Sequence, residues 1–325
     1  MRLLKLVPDN TNLDFMRWRN IALVLSILVT AAAIALVFTR GLNLGIDFVG
    51  GQEMKVTFSQ PPNLDQLRES VDGATGGGAS LQEFGAPNVI SIRTPLPEGG
   101  ETAATRAASQ IRAAITAAHP DARFDAVETV SGKVSEELFR SGSWAVGLAM
   151  LGIAIFIWIR FEWQFGVGAL VTLFHDVCMT LGFFSLTRLE FNLNVIAAIL
   201  TIVGYSLNDT VVIYDRIREN LRKYRKMEIV PLLNLSLNET LSRTMVTSIS
   251  ILLALAALLI LGPDVIFGLT IAIFIGIFVG TYSSIYISSP ILVWLRVTTD
   301  SFMPKDPVSR AERAGRNEGY DGAQV

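Results

Sequence analysis

Cysteine is nearly missing from this 325-residue chain: Cys178 stands alone, so no intrachain disulfide can form and the redox compartment is not readable from thiols. Charge is scarce as well. Asp, Glu, Lys and Arg make up 17% of the residues against 51% hydrophobic, and with a mean hydropathy of +0.46 this is not the composition of a soluble enzyme. Of two histidines, only His175 lies in an apolar run, beside Asp176. Adjacent helical positions point to different faces, so the pair supplies no metal-ligand set, and neither a metal nor a cofactor is expected. The glycine-rich stretches Gly45 to Gly51 and Gly73 to Gly78 lack the Lys-Ser/Thr ending of a phosphate-binding loop and read as turns. A nucleophile motif is missing too. Gly204-Tyr205-Ser206-Leu207-Asn208 fails the G-x-S-x-G pattern at its last position, which argues against an intramembrane hydrolase using Ser206 or Ser185 with His175 and against an enzyme at all. The net charge of −2 says little, and the basic residues sit where membrane topology puts them, so nucleic-acid binding is not expected.

Long apolar runs are what the chain has in quantity. Six of them, about 20–39, 143–159, 165–186, 193–213, 245–261 and 265–295, reach the roughly 17 to 25 residues that cross a bilayer as a helix. The first continues through Ile34 to Phe38, longer than the core of a signal peptide, and reads as an anchor. Lys and Arg fall in the segments 1–19, 214–243 and 298–325 and at Arg160, whereas the short connections on the other side offer only Arg188. This bias puts both termini on the cytoplasmic side. The expected plan is a cytoplasmic amino terminus (1–19), a first span (20–39), an external domain (40–140), five further spans within 141–297 with a cytoplasmic loop at 214–243, and a cytoplasmic tail (298–325). Within the external domain the pattern reads strand, helix, two strands around Gly85-Ala86-Pro87, helix, strand. That β-α-β-β-α-β order is the ferredoxin-like one.

Polar side chains inside the spans carry the functional signal. An ionised carboxylate at a helix centre costs roughly 2.5 to 3.5 kcal/mol on insertion scales, so intramembrane acids face a bundle interior and mark ion or proton paths. Asp209, beside Asn208, lies in the fourth run, where Asn194, Thr201, Tyr205 and Asn208 fall along one helical face with Asp209 at its edge. Counted back from Ile213 it is about 6 Å from the cytoplasmic end, and nearer the middle if the helix runs past Arg216. Asp176 sits about 16 Å into the third run and is either a proton relay or an interhelical hydrogen-bond partner. Arg243 begins the fifth run, followed by Thr247 and Ser250 on one face. Gly276 and Gly280 form a GxxxG row in the last run, read as close packing inside the bundle. Asp215 to Lys226 reads as a cytoplasmic surface helix, with Glu219 and Lys223 paired.

Four stretches carry a family resemblance: GIDFVGG after the first span, HDV at His175 to Val177, VGYSLNDTVVIYDRIREN from Val203 to Asn220, and TLSRTMVTS from Thr240 to Ser248. Over nearly its whole length the chain resembles the SecF subunits of the bacterial SecDF export factor, within the resistance-nodulation-division superfamily. The segment Val130 to Leu138 departs from the family's Gly-Pro wording. The resemblance implies proton-driven assistance to polypeptide export in the bacterial inner membrane, with Asp209 as proton-pathway carboxylate and Arg243 as its basic partner. His175, Asp176 and Asn208 are grouped with them as further candidates. The implied partners are SecD, the SecYEG channel, accessory YajC, an unfolded exported polypeptide and membrane lipids. An exporter of lipids or small molecules on the same scaffold is the alternative, but such exporters carry two membrane halves and two large external domains in one chain.

Overall fold

The computed structural model describes residues 11–97, 100–125 and 127–297. The first ten residues and the tail expected at 298–325 lie outside them. Helix α1 (Arg19–Arg40) follows a single 3-10 turn, Phe15–Trp18, whose capping Asp14 accepts the Arg17 amide. Strand β1 (Asn43–Leu44) and the one-turn helix α2 (Ile46–Val49) then lead into β2 (Gly51–Thr57). Gly51 sits at φ +127°, and a Cβ there would lie 2.7 Å from the Thr94 carbonyl, which explains why the turn into β2 ends in glycine.

The external domain continues with α3 (Leu64–Thr75), β3 (Ser80–Phe84), β4 (Ala86–Thr94), α4 (Gly100–Ala118), β5 (Arg123–Phe124) and β6 (Glu128–Val130). Asn63 caps α3 by accepting the Asp65 and Gln66 amides. The sheet runs β3-β4-β2-β5, with β6 also on β2 and every neighbour antiparallel. Alternation along the strands sends Met54, Val56, Ile90 and Ile92 to one face, where they meet Leu67 and Val71 of α3 and Ile111 and Ile115 of α4. This core is complete without the membrane helices. A fragment spanning β2 to β6 is therefore expected to fold alone in water, giving mixed helix and strand by circular dichroism and a cooperative melt; a product that stays soluble only in detergent would contradict it.

Helix α5 (Gly132–Arg160) starts one residue after β6, with the Ser131 hydroxyl capping Val134. The stretch up to 140, expected as the end of the domain, therefore includes the first turns of α5. Helical hydrogen bonds are satisfied within the segment, so nothing stops the helix at the membrane surface, and the polar stretch Lys133 to Arg140 is simply its first turns. The chain then forms α6 (Trp163–Thr187), β7 (Glu190–Phe191), α7 (Leu193–Lys223), α8 (Ile229–Leu261), a 3-10 turn Asp264–Ile266, α9 (Phe267–Tyr286) and α10 (Ser288–Trp294). Within 214–243, the segment expected as a cytoplasmic loop, α7 runs on to Lys223 and α8 starts at Ile229. The last run is split at Ile287, because Pro290 has no N–H for the Tyr286 carbonyl.

Among the described residues, six helical segments are long and apolar enough to cross a membrane. Central among them is α7, which lines two apolar clusters: one with Phe165, Leu233 and Leu292, the other with Leu173, Phe184 and Ala272. Ile202 of α7 fills the space over Gly276, where a Cβ would collide with it, and Ser206 sits over Gly280. The GxxxG row is the track along which α9 closes on α7. The domain is tied down by a parallel pairing of β1 with β7, Asn43 opposite Glu190 and Leu44 opposite Phe191.

Candidate functional site

Two buried carboxylates lie midway along α6 and α7. Asp176 is fully buried. Its Oδ2 accepts from Ser206 Oγ of α7 at 2.5 Å and from Ser283 Oγ of α9 at 2.9 Å, and its Oδ1 lies 3.0 Å from His175 Nδ1. A Cβ on Gly280 would stand 3.6 Å from Asp176 Oδ2, so the small residue leaves room for this junction. One carboxylate thereby holds three helices, and His175 extends the group toward the Tyr282 ring, 6.5 Å away between centroids.

Asp209 differs in kind. Because α7 continues to Lys223, it occupies the middle of a 31-residue helix, the deeper of the two depths the sequence allowed. It is buried, yet its Oδ2 has no hydrogen-bond partner. Its neighbours are on α8: the Ser248 hydroxyl is within hydrogen-bonding reach and the Arg243 guanidinium acts on it electrostatically. Among the described residues no ion pair within 4 Å joins Arg243 to Asp209. Ser248 is the hub of a hydroxyl chain, 3.1 Å from Tyr205 Oη and accepting from Thr281 Oγ1 at 2.9 Å. Thr210 Oγ1 and Thr244 Oγ1 are also buried without partners. Each unpaired buried polar group costs about 1 to 3 kcal/mol.

The polar seam expected along α7 separates into two. Tyr205 and Asp209 turn inward to α8, while Asn194, Thr201 and Asn208 are exposed. Asn208 therefore lies outside the hydroxyl cluster. Arg243, Thr247 and Ser250 are exposed on α8 in the same way. Sequence reasoning missed Ser248 and Ser283. Ser248 follows Thr244 by one helical turn, and that i, i+4 spacing was the available signal.

The DRIREN run, Asp215 to Asn220, ties α7 to the link between α5 and α6 and to α8. Arg218 lies 3.6 Å from Glu162 and Arg160 lies 3.5 Å from Asp215, while Asn220 Nδ2 donates to Ser236 Oγ at 3.0 Å and Glu239 Oε2 at 2.7 Å. Glu219 pairs with Arg216 rather than with Lys223.

The family model described as "Protein export membrane protein SecD/SecF, C-terminal" matches residues 110–298, and that of the "SecD/SecF GG Motif" matches 35–62. Proteins named "Protein translocase subunit SecF" are similar along almost their full length. That of Pseudomonas aeruginosa is 42% identical over 90% of this chain and 94% of its own, and that of Rickettsia rickettsii is 43% identical over 89% and 94%. The chain belongs to the SecF family. It is accordingly a multi-pass membrane protein of protein transport. Among solved structures it is similar to SecDF from Thermus thermophilus, a translocon-associated membrane protein, with a TM-score of 0.82 and 36% identity over 90% of this chain. A SecDF structure in a super-membrane-facing form gives a TM-score of 0.66 at 33% identity. The chain spans about 40% of the length of either SecDF chain.

Proposed function

We propose that this chain is one half of a proton-driven factor of the Sec export machinery, with Asp209 as the group that takes up and releases the proton. The observation that carries this reading is a carboxylate buried at the middle of a membrane helix, with one oxygen unpaired and a cation on the next helix close enough to attract it but not in contact. Protonated, Asp209 is neutral and donates a hydrogen bond to the hydroxyl chain at Ser248. Ionised, it draws Arg243 inward, and α7 and α8 shift relative to each other. Moving one charge through the membrane potential is worth about 2.3 kcal/mol per 100 mV, enough to bias such a two-state arrangement. Asp176 serves a different end, tying α6, α7 and α9 so that the shift is transmitted as a unit.

The exposed polar stripes of α7 and α8 would be costly against lipid and support a second membrane half beside them. SecD is the partner of that description, consistent with the 40% share of SecDF that this chain accounts for. The ferredoxin-like domain then faces the periplasm and both termini the cytoplasm of the bacterial inner membrane. There the complex acts with SecYEG and YajC on an unfolded polypeptide, without enzymatic chemistry. The alternative of a lipid or small-molecule exporter is disfavoured by the near-full-length similarity to proteins named as translocase subunits. The test is precursor export into inverted vesicles that either contain or lack this chain beside its SecD-type partner. Export should be faster with the chain, and an uncoupler should erase the difference; a difference that survives the uncoupler would refute proton coupling.

A further inference from the structure

One face of the domain sheet packs on α3 and α4, and the other covers the turn between α6 and α7. That second face is polar and nevertheless buried, with Glu53 only 4%, Ser91 2% and Arg93 9% exposed. Arg93 reaches across to the membrane side, donating from Nη1 to the Leu44 carbonyl at 2.9 Å and from Nη2 to Gln82 Oε1 at 3.0 Å and Asn43 Oδ1 at 3.3 Å. Gln82 and Asn43 in turn donate to the Arg188 carbonyl, at 2.9 and 2.8 Å. Between sheet and turn lies a cavity of about 130 Å³. Into it project Glu53 from β2 and Glu190 from β7, whose carboxyl groups are in hydrogen-bonding contact.

Two carboxylates in contact cannot both be ionised without strong repulsion, and a shared proton turns that repulsion into a hydrogen bond. We propose that Glu53 and Glu190 form a proton-binding site that latches the external domain onto the membrane helices, closed when the pair holds one proton and weakened when it holds none. The charged groups facing Glu190 are Asp47 from α2, Glu53 and Lys55 from β2, Glu83 from β3, Arg93 from β4 and Glu128 from β6. Asp47 is engaged, accepting the Leu193 amide at 2.9 Å. Lys55 stands 3.8 Å from Glu53. Acids outnumber the two cations. Burial first, then the Glu53 charge, push the Glu190 carboxyl up to about 7, against the opposing pull of Arg93 and Lys55.

The sign follows from linkage. The docked state binds the proton more tightly than the undocked one, so docking is strongest below about pH 4.5, weakens as the pH rises through about 7, and is level above that. The latch does not require Asp209 to carry a proton, so its test is separate from the export assay.

Hydrogen exchange of the full-length chain in nanodiscs reads the latch directly. The Gly45 amide, which donates to the Phe191 carbonyl at 2.9 Å, and the amides of β1 and β7 join the segment that enters β2 to the α6–α7 turn, so lifting the sheet off the turn is expected to expose them. After correction for the chemical exchange rate, their protection should fall by up to about seventyfold between pH 5 and pH 8, as expected for a shift from 4.5 to about 7. Amides of the β3–β4 pairing, inside the domain, should not change. Glu190→Gln and Glu53→Gln, which mimic the protonated acid, should each keep β1 and β7 protected at pH 8. Protection that is independent of pH in the unaltered chain would overturn the proposal, as would an undiminished pH dependence in both variants. A fall shared equally by the β3–β4 amides would also overturn it, since the domain would then be unfolding rather than undocking.

Discussion

Asp209→Asn is expected to insert, fold and assemble like the unaltered chain and to lose all of the export stimulation that depends on the proton gradient. The amide matches the carboxylate in size and still accepts from and donates to the hydroxyls around Ser248, so the packing of α7 on α8 is kept. What disappears is the ability to alternate between a neutral and a charged state, and with it the pull on Arg243. The check is precursor export into inverted vesicles at matched protein levels, with the gradient present and with it collapsed. Uncoupler-sensitive stimulation of normal size in Asp209→Asn would exclude Asp209 from the proton path.

The second large effect is on stability. Asp176→Leu should sharply lower the unfolding temperature in detergent, because it strands the Ser206 and Ser283 hydroxyls in a dry junction of three helices. Leaving a buried hydroxyl without a partner costs about 1 to 3 kcal/mol, so stranding two of them costs several kcal/mol. Asp176→Asn retains an oxygen that can accept from both serines and should melt close to the unaltered chain. If Asp176 is a tie and not a proton carrier, the Asn variant also keeps its gradient-dependent export. A stable Asp176→Asn that no longer responds to the gradient would move Asp176 onto the proton path.

Run length made the six membrane helices readable, and alternation the succession of strands and helices in the domain between the first two of them. Helix ends were less legible. Hydropathy falls after Ile213, but backbone hydrogen bonding does not depend on apolar side chains, so α7 runs on to Lys223 and carries Asp209 to its centre. Helical periodicity put Asn208 and Asp209 near one polar edge, yet which of the two faces the bundle depends on where α8 and α9 pack. The partners of Asp176 were hidden for a related reason. Ser206 and Ser283 are unremarkable in sequence, and their alignment with Asp176 arises only once Gly280 lets α9 close on α7. Glu53 and Glu190 carry no local signal, because nothing in the sequence around either records that a sheet face and an interhelical turn will meet.

Helix α5 gives the external domain a mechanical character. Only Ser135 and Ile157 along its length are buried, and Ser131 alone separates it from β6. It is thus a stiff rod loosely held by the bundle and rigidly joined to the sheet. At 1.5 Å per residue its 29 residues extend about 43 Å, so a tilt of about 5° about its Arg160 end displaces the domain by about 4 Å. A displacement of that size exceeds the reach of any hydrogen bond between the domain and the α6–α7 turn. The rod therefore works as a lever with the bundle as its fulcrum, and rearrangements too small to disturb helix packing arrive at the far end as strokes large enough to pull two touching surfaces apart.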